Sequence, residues 1–218
     1  MNASVDEQKR LAAEAGGELV QDGMRVGLGT GTTVAFLLEA IARRKPNALF
    51  VATSPRTEVA ARALGLRIEP FDELDALDVA IDGADQIAPN GWLVKGGGGA
   101  HTREKIVAAA AERFVVIADT TKLVDALHAP VPLELAPFGL AATLRHLDAC
   151  ELRDAPPSPD GGVIADYRGS VAEPAELAHW LSDIPGVIAH GLFAPVMVSE
   201  LLVGEHSTVR RTTFGGTP

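Results

Sequence analysis

Three short segments of this chain carry residue types able to do chemistry, at spacings that would let them do it. The first is Gly27-Leu28-Gly29-Thr30-Gly31-Thr32-Thr33, placed where an apolar run gives way to a helical pattern. Glycines let the backbone approach an anion closely, a helix start offers N–H groups with no intrahelical partner, and the threonines add hydroxyl donors. The segment reads as an anion loop; the alternative is a tight strand-to-helix turn with a Thr cap and no ligand. A dinucleotide fingerprint needs glycine where Thr32 stands and an acid where the next strand ends in Thr53-Ser54, and a P-loop needs a Gly-Lys-Ser/Thr that is absent.

The second segment is Asp82-Gly83-Ala84-Asp85, directly after the apolar run Val79-Ala80-Ile81. Open parallel sheets bind ligands at the carboxyl ends of their strands, so the two carboxylates fall where a substrate would lie. Such acids can hold sugar hydroxyls, and repulsion between them raises one pKa towards a proton-transfer range. An Asx turn explains the same four residues equally well.

The third runs from Trp92 to Lys105 and contains Lys95-Gly96-Gly97-Gly98-Gly99, then His101-Thr102-Arg103-Glu104-Lys105. Each glycine costs about 0.5 to 1 kcal/mol of backbone entropy relative to alanine, so four in a row need a reason. A bare backbone wrapped around reacting carbon atoms supplies one. Lys95 stands at one end and Glu104 in the first turn of the next helix, with N–H groups between them to hold an oxyanion. Taken singly, Lys95 is also explained as a surface ammonium, Glu104 as an acid favoured by the helix dipole, and the glycines as a flexible loop.

Composition narrows the rest. The 218 residues carry a net charge of −10, with 47% hydrophobic and 22% charged residues. This is an ordinary globular balance with no basic stripe, and nucleic acid is not an expected partner. No apolar run approaches the ~18 residues of a membrane span, the opening segment lacks an export pattern, and Cys150 is the only cysteine. A cytoplasmic location is expected, with Cys150 as a small packing residue. The six histidines form no His-Glu-x-x-His and have no cysteine partner, so no metal is expected. His101 reads as a helix-start residue that touches nothing.

The elements that must position these segments alternate through the first ~120 residues, as in a parallel sheet covered on both faces. Helices are expected at Glu7–Val20, Thr33–Arg44, Glu58–Leu64 and 102–112, and strands at Met24–Leu28, Leu49–Ala52, Leu66–Ile68, Val79–Ile81 and Phe114–Ala118. Pro130 and Pro132 then mark a change. Leu133–Ala136, Leu140–Leu147, Cys150–Leu152, Val163–Tyr167, Ala175–Leu181 and Val187–Leu192 read strand, helix, strand, strand, helix, strand, a split βαβ unit. Val196–Val203 reads as a strand returning to the first sheet and Gly204–Pro218 as a frayed tail. The expected division is 1–127 with 194–218, and 128–193.

The three segments, in this order, resemble the ribose-5-phosphate isomerase A family. The resemblance extends through 114–122, Pro132-Leu133-Glu134 and Pro185-Gly186-Val187, and covers most of residues 5–203. It implies a Rossmann-like α/β domain carrying a smaller ferredoxin-like domain, assembled as a homodimer or homotetramer. It also implies an aldose-ketose isomerase of the non-oxidative pentose phosphate pathway, acting on a small sugar phosphate and needing no cofactor. Substrate-binding positions would fall on Thr30, Gly31, Thr32 and Thr33, on Asp82, Gly83, Ala84 and Asp85, on Lys95, Gly96, Gly97 and Gly98, and on Lys122. The base would be Glu104, with Asp82, Asp85 and Lys95 handling ring opening and hydroxyl protons. The chain departs from the family pattern at Ser54-Pro55-Arg56-Thr57, at Ala194-Pro195-Val196-Met197 and in the tail from Arg210. The rival readings are a non-catalytic sugar-phosphate sensor and a related lactonase or amino-sugar-phosphate isomerase on the same fold.

Overall fold

A computed structural model describes residues 3–214. In chain order its elements are α1 (Val5–Glu18), β1 (Arg25–Leu28), α2 (Thr32–Arg44), β2 (Leu49–Ala52), α3 (Pro55–Ala63) and β3 (Leu77–Asp82). There follow β4 (Gln86–Ile87), β5 (Leu93–Val94), α4 (His101–Ala109), β6 (Ala111–Asp119), β7 (Val131–Leu135), α5 (Leu140–Leu147) and β8 (Cys150–Leu152). The last are β9 (Val163–Tyr167), α6 (Pro174–Asp183), β10 (Val187–His190), β11 (Leu192–Phe193), β12 (Glu200–Glu205) and β13 (Thr208–Thr213). They form two compact units, Met1–Ala84 with Arg103–Leu123 and Pro195–Pro218, and Asp85–Thr102 with Val124–Ala194.

The first unit is Rossmann-like. Its six strands lie in the order β13-β12-β6-β3-β1-β2, all neighbours parallel except β12 and β13. Alternate residues face opposite sides of a strand. Val26, Leu28, Val79, Ile81, Val115 and Ile117 pack with Ala12, Leu37 and Ile41 of α1 and α2, while on the other face Gly27 meets Val107 of α4. The α2 helix ends in Arg43 and Arg44 with Lys45 left-handed at φ 51°, cations placed to suit the negative end of the helix dipole.

The second unit is ferredoxin-like. Its antiparallel sheet has the order β10-β7-β9-β8, and its core gathers Leu133, Leu135 and Ala165 from the strands with Leu147, Leu177 and Leu181 from α5 and α6. A separate three-stranded ribbon, β11-β5-β4, also belongs to this unit. Pro132 sits inside β7 because its carbonyl accepts from Gly191 N, which places its missing N–H on the side where β10 has already ended.

Several boundaries differ from expectation. The α3 helix starts at Pro55, because Ser54 caps it by accepting from Thr57 N at 3.2 Å and proline suits the first helical position. The expected strand Leu66–Ile68 reduces to a single bridge between Phe50 and Ile68. Helix 102–112 runs instead over His101–Ala109, and β6 starts at Ala111. The expected strand Val187–Leu192 breaks at Gly191, where a Cβ would lie 2.1 Å from the Lys95 carbonyl oxygen, and the chain passes to another sheet as β11. The returning strand is Glu200–Glu205, after a 3-10 turn over Pro195–Met197. The tail is not frayed as expected, since Thr208–Thr213, rich in β-branched residues, pairs along the whole of β12; residues 215–218 lie outside the described residues.

Candidate active site

In the first unit, the Gly-Thr segment leaves β1 at Gly29 and enters α2 at Thr32. Gly31 has φ 131° and no side chain caps the helix, so the first-turn N–H groups stay available at the positive end of the dipole. Thr32 is exposed there and Thr33 is buried. Thr30 differs: its Oγ1 lies 2.9 Å from Thr53 Oγ1, 2.9 Å from Ser54 Oγ and 3.3 Å from Thr57 Oγ1, and Thr57 Oγ1 donates to Gly29 O at 2.8 Å. This hydroxyl cluster ties the loop to the end of β2 and the start of α3. The sequence marks Thr53, Ser54 and Thr57 only as a strand end without the dinucleotide acid and as a departure from the family pattern, and assigns them no role in this loop.

Asp82 ends β3 and is 3% exposed. Its Oδ1 accepts from Thr30 N at 3.0 Å and Gly83 N at 2.7 Å. The approach is so close that a Cβ on Gly29 would lie 1.8 Å from that oxygen. Glu104 sits in the first turn of α4 and is buried at 4% exposure, which counts against the alternative of an acid placed there only by the helix dipole. Helix α4 lies tight on β1, since a Cβ at Gly27 would be 2.4 Å from Val107 Cγ1 one turn after Glu104. Burial pulls the neighbouring Lys105 down to about 8 from 10.5. Lys122 closes the 3-10 turn Thr120–Lys122, which Asp119 caps by accepting from Thr121 N at 2.9 Å.

In the second unit, Asp85 is exposed and its Oδ2 accepts from Gly97 N at 2.7 Å. Lys95 is 3% exposed, so it is no surface ammonium, and its Nζ lies 5.5 Å from the Phe193 ring centroid. Gly96 has φ 108°, a conformation that favours glycine, and a Cβ there would strike His101 Nδ1 at 2.7 Å. His101 is thus fully buried against the glycine run rather than touching nothing. Further along, Thr102 Oγ1 donates to the buried Glu134, which also accepts from Ser158 Oγ at 2.5 Å. Arg153 donates to the carbonyls of Gly96 and Gly97. Among the described residues no group of three or more His, Cys, Asp and Glu side chains is placed to hold a metal, and no helix is long and apolar enough to cross a membrane.

A parallel sheet with an uncapped helix start and buried ionisable groups at its strand ends, joined to a ferredoxin-like unit, defines an α/β enzyme class built for small anionic ligands. Comparison with known proteins narrows the class. The sequence pattern of ribose 5-phosphate isomerase A (phosphoriboisomerase A) matches residues 49–208, and the chain belongs to that family. It is 43% identical to ribose-5-phosphate isomerase A of Rhodopseudomonas palustris, over 91% of this chain and 94% of the relative. The Thermosynechococcus vestitus enzyme is 42% identical, with 93% of each chain covered. A crystal structure of ribose 5 phosphate isomerase A from Neisseria gonorrhoeae superposes with a TM-score of 0.92 at 33% identity, covering 98% of this chain and 99% of that one. A D-ribose-5-phosphate isomerase structure in complex with phospho-erythronic acid gives 0.89 at 34%, covering 97% and 100%.

Proposed function

We infer that the protein interconverts D-ribose 5-phosphate and D-ribulose 5-phosphate through an enediolate, in the non-oxidative branch of the pentose phosphate pathway. The observation that carries this reading is the buried Glu104 carboxylate at the start of a helix held against the strand that leads into the Gly-Thr turn. In the reaction a base removes the proton from C2 of the open-chain aldose, and the electron pair of that bond forms the C1=C2 double bond while O1 takes negative charge. The O2 hydroxyl proton is passed to O1, and as O2 becomes the ketone oxygen the electron pair of the double bond takes the carbon proton back at C1. Glu104 is the group assigned to both carbon proton transfers. Asp82, Asp85 and Lys95 are assigned the ring opening and hydroxyl protons, with Lys95 and the Gly96-Gly97-Gly98 backbone beside the enediolate oxygens. The N–H groups and hydroxyls of Gly31, Thr32 and Thr33 are assigned the phosphate, together with Lys122.

The phospho-erythronic acid bound by the structural relative supports this chemistry, because a planar carboxylate next to hydroxylated carbons imitates an enediolate, and its far end carries the phosphate. The presence of Glu104 and Lys95 favours an enzyme over a non-catalytic sensor. A cytoplasmic location and a dimeric or tetrameric assembly belong to the same proposal, and light scattering of the purified protein tests the latter.

The decisive experiment is a coupled assay with ribose 5-phosphate, against glucosamine 6-phosphate and a phosphogluconolactone, on wild type and Glu104→Gln. The substitution preserves shape and removes the basic lone pair, so kcat should fall by about 10²- to 10⁴-fold. Exchange of the C2 hydrogen with heavy water should be lost in parallel. Exchange at the wild-type rate would move the base away from Glu104, and wild-type preference for either rival substrate would replace the reading.

A further inference from the structure

A glycine run offers no side chains by which it can be held, so its peptide groups are the only handles. In the second unit, Arg153 takes hold of two of them. Its Nη1 donates to Gly96 O and to Gly97 O, both at 3.1 Å. The same guanidinium is fixed from behind by Asp166, with Nε 3.2 Å from Oδ2 and Nη2 2.5 Å from Oδ1. Both side chains are largely buried, at 22% and 12% exposure, so water competes weakly for these bonds. A guanidinium carries its donors in one rigid plane, and pairing two of its nitrogens with a carboxylate decides where the third one points.

Peptide geometry converts this grip into an orientation. In a planar trans peptide, C=O and the following N–H point in opposite directions. Drawing Gly96 O towards Arg153 therefore turns Gly97 N–H away from it, and that N–H is found on Asp85 Oδ2 at 2.7 Å. Drawing Gly97 O towards Arg153 turns Gly98 N–H away in the same manner. Among the described residues Gly98 N–H donates to no protein acceptor. The result is one backbone donor left available in a loop whose two preceding peptides are clamped.

We propose that Arg153, braced by Asp166, is a positioning residue for the isomerisation: it fixes the Gly96-Gly97-Gly98 backbone so that Gly98 N–H meets the enediolate oxygen. The inference rests on the isomerase reading above and adds a residue that lies 57 positions from the loop it holds. A preorganised donor acts on charge that develops in the transition state, so loss of its alignment lowers kcat more than it raises KM.

The test uses full-length wild type, Arg153→Lys and Arg153→Ala. Each is melted, assayed with ribose 5-phosphate, and followed by amide hydrogen exchange over residues 95–100. Lysine keeps a charge beside Asp166 but cannot hold a carboxylate and two carbonyls in one plane. Arg153→Lys should remain folded, lose about tenfold or more in kcat with KM changed less than about threefold, and exchange faster at Gly97 and Gly98. Added guanidinium should restore activity to Arg153→Ala beyond what the same concentration of sodium chloride does. Should the alanine variant fail to fold, the lysine variant decides. Wild-type kcat and exchange in Arg153→Lys, or a loss of rate fully explained by the unfolded fraction, would overturn the proposal. An inactive wild type would instead overturn the isomerase reading, and the exchange measurement would still tell whether Arg153 fixes the loop.

Discussion

Gly29→Ala places the Gly-Thr turn under a severe and calculable strain. The added Cβ would stand 1.8 Å from Asp82 Oδ1, 1.9 Å from its Cγ and 2.5 Å from its Cβ. Ordinary contacts between such atoms need over ~3 Å, so the carboxylate must move by more than about 1 Å or the turn must open. Asp82 is 3% exposed, and moving it breaks the bonds from Thr30 N at 3.0 Å and Gly83 N at 2.7 Å without water to replace them. Overpacking costs about 1 to 3 kcal/mol and each hydrogen bond to a charged group about 1.5 to 3. With partial relaxation the total is about 3 to 5 kcal/mol, and a chain of this size loses roughly 2 to 4 °C of Tm for each. Urea and thermal unfolding followed by circular dichroism measure it. Gly83→Ala is the control, because its Cβ would meet only Ile117 O at 3.8 Å and should cost within about 0.5 kcal/mol. Equal melting of Gly29→Ala and Gly83→Ala would refute the reasoning.

Two further outcomes test other parts of the site. Asp85→Asn keeps an oxygen to accept from Gly97 N, whereas Asp85→Ala removes it; if the acid chiefly positions the glycine loop, the asparagine variant should keep most of kcat and the alanine variant lose about tenfold or more, while equal losses would assign Asp85 to proton chemistry. Burial holds Lys105 at about 8 against 10.5, so between those values the unfolded chain carries more protons than the native one. The stability of wild type relative to Lys105→Met should therefore be flat below about pH 7 and rise with pH from about 8 to 10.5, and denaturant titrations across that range that show no such rise would place the ammonium in solvent.

The parallel sheet is legible in the sequence because Leu49–Ala52 and Val79–Ile81 are apolar runs bounded by turn residues, and strands buried on both faces have that appearance. The ferredoxin-like unit is legible for a related reason, since α5, β8 and β9 fall between glycine and proline punctuation. The two-residue strands β4 and β5 are not, because so short a ladder leaves no period to read. Glu104 shows the limit for side chains. Its local position, the first turn of a helix, is that of a solvated acid, yet the folded chain leaves it 4% exposed. Likewise Glu134 and Arg153 act through partners far away in the chain, and such contacts leave no local mark.

The Asp82-Gly83-Ala84-Asp85 segment gains a second meaning from these bonds. It is the point where the chain passes out of the first unit, which ends its opening stretch at Ala84, into the second, which begins at Asp85. Each acid serves the loop of its own unit: Asp82 accepts from Thr30 N of the Gly-Thr turn, and Asp85 from Gly97 N of the glycine run. Both bonds are of the charge-assisted kind, stronger than those between neutral groups, and both fall on loops whose glycines bring a large entropy to be suppressed. Two carboxylates three positions apart thus each hold a glycine-bearing loop of their own unit. A motif read from sequence as a pair of acids for sugar hydroxyls is therefore also a pair of anchors, and its chemical and mechanical roles separate only where, as at Asp85, an amide can replace the acceptor without the charge.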